Sequence, residues 1–419
     1  MLEVGSLVEL DIVDAAYGGE FIARYEDLVV FVRGAIIGEK VIAQITKQQA
    51  KLCRAIVREV IKSAPNRIVH PWPLGAVEAT GAADYGHIKL SGQREMKSRM
   101  LANQLRRIAG AKISAQFSAQ MLQVESVEFG RDGGLRGNPD AQGWHYRTRI
   151  DVLKLDTGVG MHLLRTNQLI ALQEMPLATR RLDELDLFAA AWDKYVPPKT
   201  RMRLVAPSAS PVIAVIDGKT YREPGMLVDP KIKEVVQYRG KSYEYKIAAG
   251  SFWQIHENAP NSLVAHVFDG LELQPGDRLV DLYSGSGLFS LIGADLVGQR
   301  GSVRSYEGDQ RATLSAQENL RAMPWAKAEA VNIRAENIAK LVAGADFVIA
   351  DPPRAGLGVD AAQELAKSQA KKIALVSCDA ASMARDVSAM LAAGRKLDSF
   401  TAVDIFPNTH YVETVCIFS

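Results

Sequence analysis

The chain has 419 residues, room for two to four domains at about 100–200 residues each. Its 47% hydrophobic and 23% charged composition excludes wholesale disorder, and 50 Lys+Arg against 48 Asp+Glu leave a net charge of +2 that names no partner. Three cysteines (Cys53, Cys378, Cys416) exclude a disulfide scaffold and show no zinc-ligand spacing, and no apolar run approaches the roughly 18 residues of a membrane helix.

The start, MLEVGSLVELDIVD, is acidic and alternating, unlike a signal peptide, and the sparse cysteines make a reducing cytoplasm the expected compartment. The runs SLVELDIVD, DLVVFVR and KVIAQIT, separated by glycines, predict a small β-barrel over 1–60, either a nucleic-acid-binding module or an accessory domain. Residues 61–90, with Pro65, Pro71, Pro73 and Gly75, read as an irregular loop. A helix follows over 93–110, with Met96, Met100, Leu101, Leu105 and Ile108 on one stripe and Gly110 as its C-cap. Residues 61–150 hold thirteen basic and seven acidic side chains, against seven and nine in 1–60. That local excess fits a positive patch that meets nucleic-acid phosphate, with Arg94, Lys97, Arg106 and Arg107 as candidates; a merely solvated helix face is the alternative.

Residues 118–245 mix strand-like runs (MLQVESVEF, TRIDVLKL, SPVIAVI) with a helix expected near 181–193. Turns are expected at Asp132-Gly133-Gly134 and Asp217-Gly218, giving an α+β middle domain over 61–245. From 246 to 419 the pattern changes. DRLVDLY, GSVRSYE, DFVIADPP and KIALVSC are apolar strand-like runs, with helices expected at 288–297 and about 308–321. Their alternation predicts an α/β, doubly wound, Rossmann-like domain.

The loop Asp281-Leu-Tyr-Ser-Gly285-Ser-Gly287 leaves a strand and opens a helix, a place where backbone approaches a ligand closely. It lacks the third glycine of the dinucleotide fingerprint, because Ser290 stands there. Glu307 ends the next strand, where a carboxylate accepts both hydroxyls of a ribose; NAD and S-adenosylmethionine both fit, and a helix-capping role is the alternative. Asp351 ends a further strand at the carboxyl edge of the sheet, before two rigidifying prolines.

These pieces resemble the class I S-adenosylmethionine-dependent RNA 5-methyluridine methyltransferases, a family that modifies uridine in tRNA and 23S rRNA. The resemblance rests on FWQ (252–254), DLYSGSG (281–287), Glu307, QENL (317–320), DPPRAGL (351–357), VSCDAASMARDV (376–387) and DIFPNTHYVETV (404–415). Residues 1–60 resemble the TRAM barrel attached to many members, with Gly38-Glu39 matching its GE turn. The resemblance implies S-adenosylmethionine contacts by Gln254, Tyr283, Glu307 and Asp351, and places Asn337 near the adenine. Leu288 stands where the family usually has a polar residue, so one hydrogen bond is absent or Ser286 supplies it. The members resembled most hold an iron–sulfur cluster on four cysteines; His70, Thr80, Ala83 and Met175 occupy those positions here, beside retained His87, Gln93 and Lys97. Such clusters are held by thiolates, so none is expected.

A cysteine at a strand end is either a core residue or a nucleophile. C5 of uracil is a poor nucleophile, and a thiolate adding to C6 converts the ring to an enolate that attacks at C5. The resemblance assigns attack to Cys378 and removal of the C5 proton to Glu413, with Cys53 and Cys416 structural. Asp379 stands where many members have asparagine and alters the charge beside the nucleophile. Arg385 either contacts RNA phosphate or pairs with Asp386. The expected partner is structured RNA with the target base flipped out, 23S rRNA before tRNA by analogy with the TRAM-like domain, and a monomer is the default. A nicotinamide oxidoreductase leaves Cys378 and Glu413 unexplained; a noncatalytic RNA-binding protein remains the other alternative.

Overall fold

Alternate burial along β1 (Leu7–Ala15) turns Val8, Leu10 and Ile12 inward and leaves Leu7, Glu9 and Asp11 in solvent. With β2 (Glu20–Tyr25), β3 (Leu28–Arg33), β4 (Lys40–Gln48) and β5 (Leu52–Lys62) it closes a barrel in the order β1-β2-β3-β5-β4, and β4 pairs back on β1 at Leu10–Val41. Phe21, Val30, Val32, Val41, Ile45 and Cys53 fill it. Gly38 takes φ +87°, and buried Glu39 accepts from the Ile36 and Ala64 N–H groups and from Arg67 Nε at 2.5 Å. The GE turn thus ties the barrel to the chain leaving it. The computed structural model describes residues 3–49, 51–127, 143–188 and 190–419.

Helix α1 runs from Leu90 to Gln104, three residues earlier than expected at its start, continues through a π-turn at Leu105–Ala109 and stops at Gly110 (φ +84°). Met96, Met100, Leu101 and Leu105 are buried as the stripe required. Lys97 is a correction: it is fully buried, its Nζ 2.5 Å from Asp404 Oδ1 and donating to the Phe406 carbonyl at 3.0 Å, so it cannot meet phosphate. Gln93, Lys97 and Leu101 recur every four residues, on the inward face. After the short α2 (Ala111–Ser114), the strand expected in MLQVESVEF is, among the described residues, β6 (Val124–Ser126). The Asp132-Gly133-Gly134 turn, and Arg131 and Arg136 of the basic excess, lie outside the described residues.

Among the described residues, a seven-stranded antiparallel sheet forms the middle of the molecule, from β7 (Arg149–Lys154), β8 (Val159–His162), β9 (Leu169–Ala171), β10 (Arg201–Val205), β11 (Ile213–Ile216), β12 (Lys219–Glu223) and β13 (Met226–Leu227). Asp217 and Gly218, both at positive φ, make its β11–β12 turn. The helix expected near 181–193 is two pieces, a 3₁₀ segment Arg180–Leu185 ended by left-handed Asp186, and α3 (Ala190–Tyr195). The hairpin β14 (Lys231–Tyr238)–β15 (Lys241–Ala248) contains the expected boundary at 245. Its Val236, Tyr245 and Ile247 join the core of α4 (Ala259–Leu271) and the C-terminal sheet.

That sheet, eight-stranded among the described residues, has the order β18-β17-β16-β19-β20-β22-β21-β6. Its strands are β16 (Arg278–Leu282), β17 (Ser302–Glu307), β18 (Ala326–Ala330), β19 (Phe347–Ala350), β20 (Lys372–Ser377), β21 (Leu397–Asp404) and β22 (Glu413–Phe418). Strands β16 to β20 are mutually parallel, β22 is antiparallel between β20 and β21, and β6 adds an edge. Helices α5 (Leu288–Val297), α6 (Gln310–Leu320), α7 (Ala335–Leu341), α8 (Val359–Ala366) and α9 (Ala380–Ala392) alternate with the strands. Buried on both faces, the central strands are continuously apolar, as in FVIA and IALV. The order reverses between β16 and β19, which opens a crevice at their carboxyl ends. Among the described residues no helix is long and apolar enough to cross a membrane.

Candidate active site

Six of the seven expected site residues line one cavity of about 650 Å³ at that crevice: Gln254, Tyr283, Glu307, Asp351, Cys378 and Glu413. Four come from strand ends of the C-terminal sheet. Tyr283 follows β16, Glu307 ends β17, Asp351 follows β19 and Cys378 follows β20. Glu413 opens the antiparallel strand β22, whose reversed direction brings its first residue to the edge where its neighbours end.

The β16–α5 turn is built for close approach. Tyr283, Gly285 and Gly287 all have positive φ, and a Cβ on Gly287 would press Ala316 Cβ at 3.3 Å. Glu307 braces this turn: its Oε2 accepts from the Gly285 N–H at 2.9 Å and its Oε1 from the Asp309 N–H at 2.8 Å. The cap of α6 is Asp309 instead. Each Glu307 oxygen keeps a lone pair. Ser284 and Ser286, on the cavity wall, are buried with hydroxyls that have no hydrogen-bond partner. Leu288 also lines the cavity, and its carbonyl accepts from the Tyr245 hydroxyl at 2.8 Å. Below the turn, Asp281 is fully buried; one oxygen accepts from Ser290 Oγ at 2.5 Å, the other has no partner, and burial pushes its carboxyl up to about 7.

Asn337 is placed differently from the expectation. Its Oδ1 accepts from the Arg334 N–H and its Nδ2 donates to the Asn332 carbonyl, both at 2.9 Å, so the side chain shapes the start of α7. Asn332 and Ile333 supply the cavity wall there.

At the other end of the cavity, burial and the Glu413 and Asp351 carboxylates push the Cys378 thiol up to about 12. Burial, with Asp351 nearby, also holds Glu413 well above the usual carboxylate range, and Asp351 is raised by burial with Glu307 adding to it. Carboxyls this close do not ionise independently. Arg354 is the cation that opposes these shifts at Cys378 and Glu413. It lies over the Tyr411 ring at 4.3 Å and donates to the Tyr411 hydroxyl at 3.2 Å. Arg354 belongs to the DPPRAGL stretch, and its proximity to Cys378 is tertiary. The other cysteines, Cys53 and Cys416, are buried away from the cavity.

The segment from β21 to Glu413 is buttressed by side chains of the chain's first half. Lys97 holds Asp404 and the Phe406 carbonyl, Gln93 Nε2 donates to Asn408 Oδ1 at 2.8 Å, and Gln93 Oε1 accepts from the Asn408 N–H at 2.7 Å. Tyr146 donates to the Pro407 carbonyl, and Asp84 Oδ1 accepts from the His410 N–H, each at 3.0 Å. Arg385 pairs with Asp386 and donates to the Ala355 carbonyl, which resolves its two readings toward the intramolecular one. Of the residues that the resemblance aligned with cluster cysteines, His70 hydrogen-bonds the Ala83 carbonyl at 2.8 Å and Thr80 donates to the Leu74 carbonyl at 2.5 Å. Among the described residues no group of three or more His, Cys, Asp or Glu is placed to hold a metal ion.

Comparison with known proteins agrees with this architecture. Residues 310–419 match the family described as tRNA (Uracil-5-)-methyltransferase, and residues 2–57 match the TRAM domain. An uncharacterized RNA methyltransferase of Streptomyces avermitilis is 30% identical over 99% of this chain and 98% of its own. Another, of Bifidobacterium longum, is 31% identical over 96% and 94%. The 23S rRNA (uracil(1939)-C(5))-methyltransferase RlmD of a Shewanella species is 25% identical over 96% of this chain and 93% of its own. Among solved structures, the Pyrococcus abyssi tRNA (uracil-54, C5)-methyltransferase in complex with S-adenosyl-L-homocysteine shares the fold, with a TM-score of 0.65, 21% identity and coverage of 98% and 100%.

Proposed function

Because the chain belongs to the RNA (uracil-5-)-methyltransferase family with an N-terminal TRAM domain, we propose that it methylates C5 of a uridine in 23S rRNA through a covalent Cys378 adduct. The enzyme class follows from membership: an RNA (uracil-C5)-methyltransferase that uses S-adenosylmethionine. The reading of the residue roles is carried by one observation. Cys378 and Glu413 meet at one end of a cavity whose other walls suit a nucleoside.

The residues fit the cofactor. The unpartnered hydroxyls of Ser284 and Ser286 and the open lone pairs of Glu307 are polar groups that need partners, beside apolar Leu288 and Phe289. Gln254, Tyr283, Glu307 and Asp351 would hold it. When bound, S-adenosylmethionine supplies an electrophilic methyl group on a sulfonium.

The chain's own residues do the rest. Cys378 ionises, its proton passing to solvent water, and the thiolate adds to C6 of the uracil, which leaves the ring as an enolate nucleophilic at C5. Arg354 stabilises the thiolate that the Glu413, Asp351 and Asp379 carboxyls oppose. After C5 carries the methyl group, Glu413 takes the C5 proton, the C5–C6 double bond re-forms and the Cys378–C6 bond breaks. Burial raises the Glu413 carboxyl above the usual carboxylate range, which makes its ionised form a stronger base toward the C5 proton.

The RlmD relatives favour 23S rRNA, and a cytoplasmic location goes with that substrate. Mass mapping of methylated uridines in total RNA, with and without this protein, tests the reading. One 5-methyluridine lost from 23S rRNA supports it; loss from tRNA alone, or no loss, overturns it.

A further inference from the structure

The turn between β1 and β2 of the barrel reaches the loop that carries Cys378. Its base is anchored on α1: Asn103 donates to the Ala15 carbonyl at 2.9 Å, and Arg99 Nε meets Asp14 Oδ1 at 3.1 Å. Its tip is shaped by Gly18 and Gly19, both at positive φ, and a Cβ on Gly19 would collide with Asp84 Oδ2. So held, Tyr17 donates its hydroxyl to Asp379 Oδ2. Asp379 follows Cys378 directly and caps α9, its other oxygen accepting from the Ala381 and Ser382 N–H groups at 3.1 and 2.8 Å.

We propose that Tyr17 is a positioning residue contributed by the barrel, whose hydroxyl holds the Asp379 carboxylate and offsets its charge beside the Cys378 sulfur. This goes beyond the reading of Cys378 as nucleophile but rests on it. The pairing links a domain otherwise read as an RNA-binding attachment to the reacting thiol.

The electrostatic logic has a sign. Asp379, like Glu413 and Asp351, disfavours the Cys378 thiolate, and Arg354 favours it. A hydroxyl dipole with its hydrogen on Asp379 Oδ2 opposes part of the Asp379 charge, and a carboxylate accepting a hydrogen bond is less repulsive to a second anion. The groups facing Tyr17 itself are Asp379, Tyr411 and Arg354. His410, which shares the cleft they line, has its Nδ1 2.5 Å from Asp84 Oδ2. Tyr17 is itself raised to about 12, by burial first and by the Asp379 hydrogen bond second, so at neutral pH it is a donor.

The test is alkylation of the full chain by iodoacetamide, in which the thiolate displaces iodide. Cys53 and Cys416 are buried, so Cys378 is the thiol read by mass spectrometry of its peptide. The rate at fixed pH below the thiol pKa is proportional to the thiolate fraction. Tyr17→Phe should slow it by about threefold or more, the scale of one lost charge-assisted hydrogen bond felt at a neighbouring group. Asp379→Asn, which keeps a capping oxygen, should speed it. In the Asp379→Asn background Tyr17→Phe should then have no effect. An unchanged rate in Tyr17→Phe, or an equal slowing in both backgrounds, overturns the proposal, since access and local packing do not depend on the Asp379 charge. A slower rate in Asp379→Asn overturns it as well. No RNA enters the assay, so a wrong substrate assignment leaves this result untouched.

Discussion

Replacing Lys97 by methionine should loosen the segment that delivers Glu413 to the site. The Lys97 side chain is 0% exposed and Asp404 2%, with Nζ 2.5 Å from Oδ1. Methionine fills most of the stem's volume, so lost packing is a minor part of the effect. What remains is a buried carboxylate without its cation and a Phe406 carbonyl without its donor. Removing one partner of such a pair costs about 3–5 kcal/mol, whereas replacing both with apolar groups is often near neutral. Native-state hydrogen exchange along β21 and β22 reads this directly, because those strands carry the affected segment. Protection in Lys97→Met should fall by about two to three and a half powers of ten, at 1.4 kcal/mol per power. Lys97→Met combined with Asp404→Leu should recover most of it. A loss below about tenfold in the single variant, or a double variant no better than the single, would refute the view that this pair is a buried structural clamp.

Further outcomes are expected of the site. Cys378→Ala should still bind S-adenosylmethionine but form no RNA adduct, whereas Glu413→Gln should accumulate a methylated, denaturation-resistant complex and turn over about 10²–10⁴-fold more slowly; denaturing electrophoresis with mass measurement separates the two. In the RNA-free enzyme, alkylation of Cys378 should rise about tenfold per pH unit from 7 to 9 without a plateau, because burial and neighbouring carboxylates hold the thiol up at about 12. A plateau near pH 9 would contradict that environment. Arg354→Gln removes the cation that lowers the thiol, so it should slow alkylation at every pH in that range; an unchanged rate would count against its role. Iron and acid-labile sulfide should both be near zero after anaerobic purification, and stoichiometric amounts would require ligands other than four thiolates.

The sequence by itself determined the barrel, the parallel strands and six residues that line the cavity. Its period-two runs became the barrel, its apolar runs the parallel strands, and its glycine turn the loop at the sheet's edge, because local periodicity records which face is buried. Residues at strand ends were legible as site residues because a doubly wound sheet sends all its carboxyl ends to one crevice. What lay between distant segments was not legible. Lys97 read as a phosphate-contacting cation on a helix, yet Asp404, more than 300 positions later, closes over it. Asn337 looked like a cofactor contact, yet its amide is used within its own turn. Only the tertiary structure brought Tyr17 to Asp379 and Arg354 to Cys378, since pair interactions of this kind depend on distance in space and leave no periodic trace along the chain.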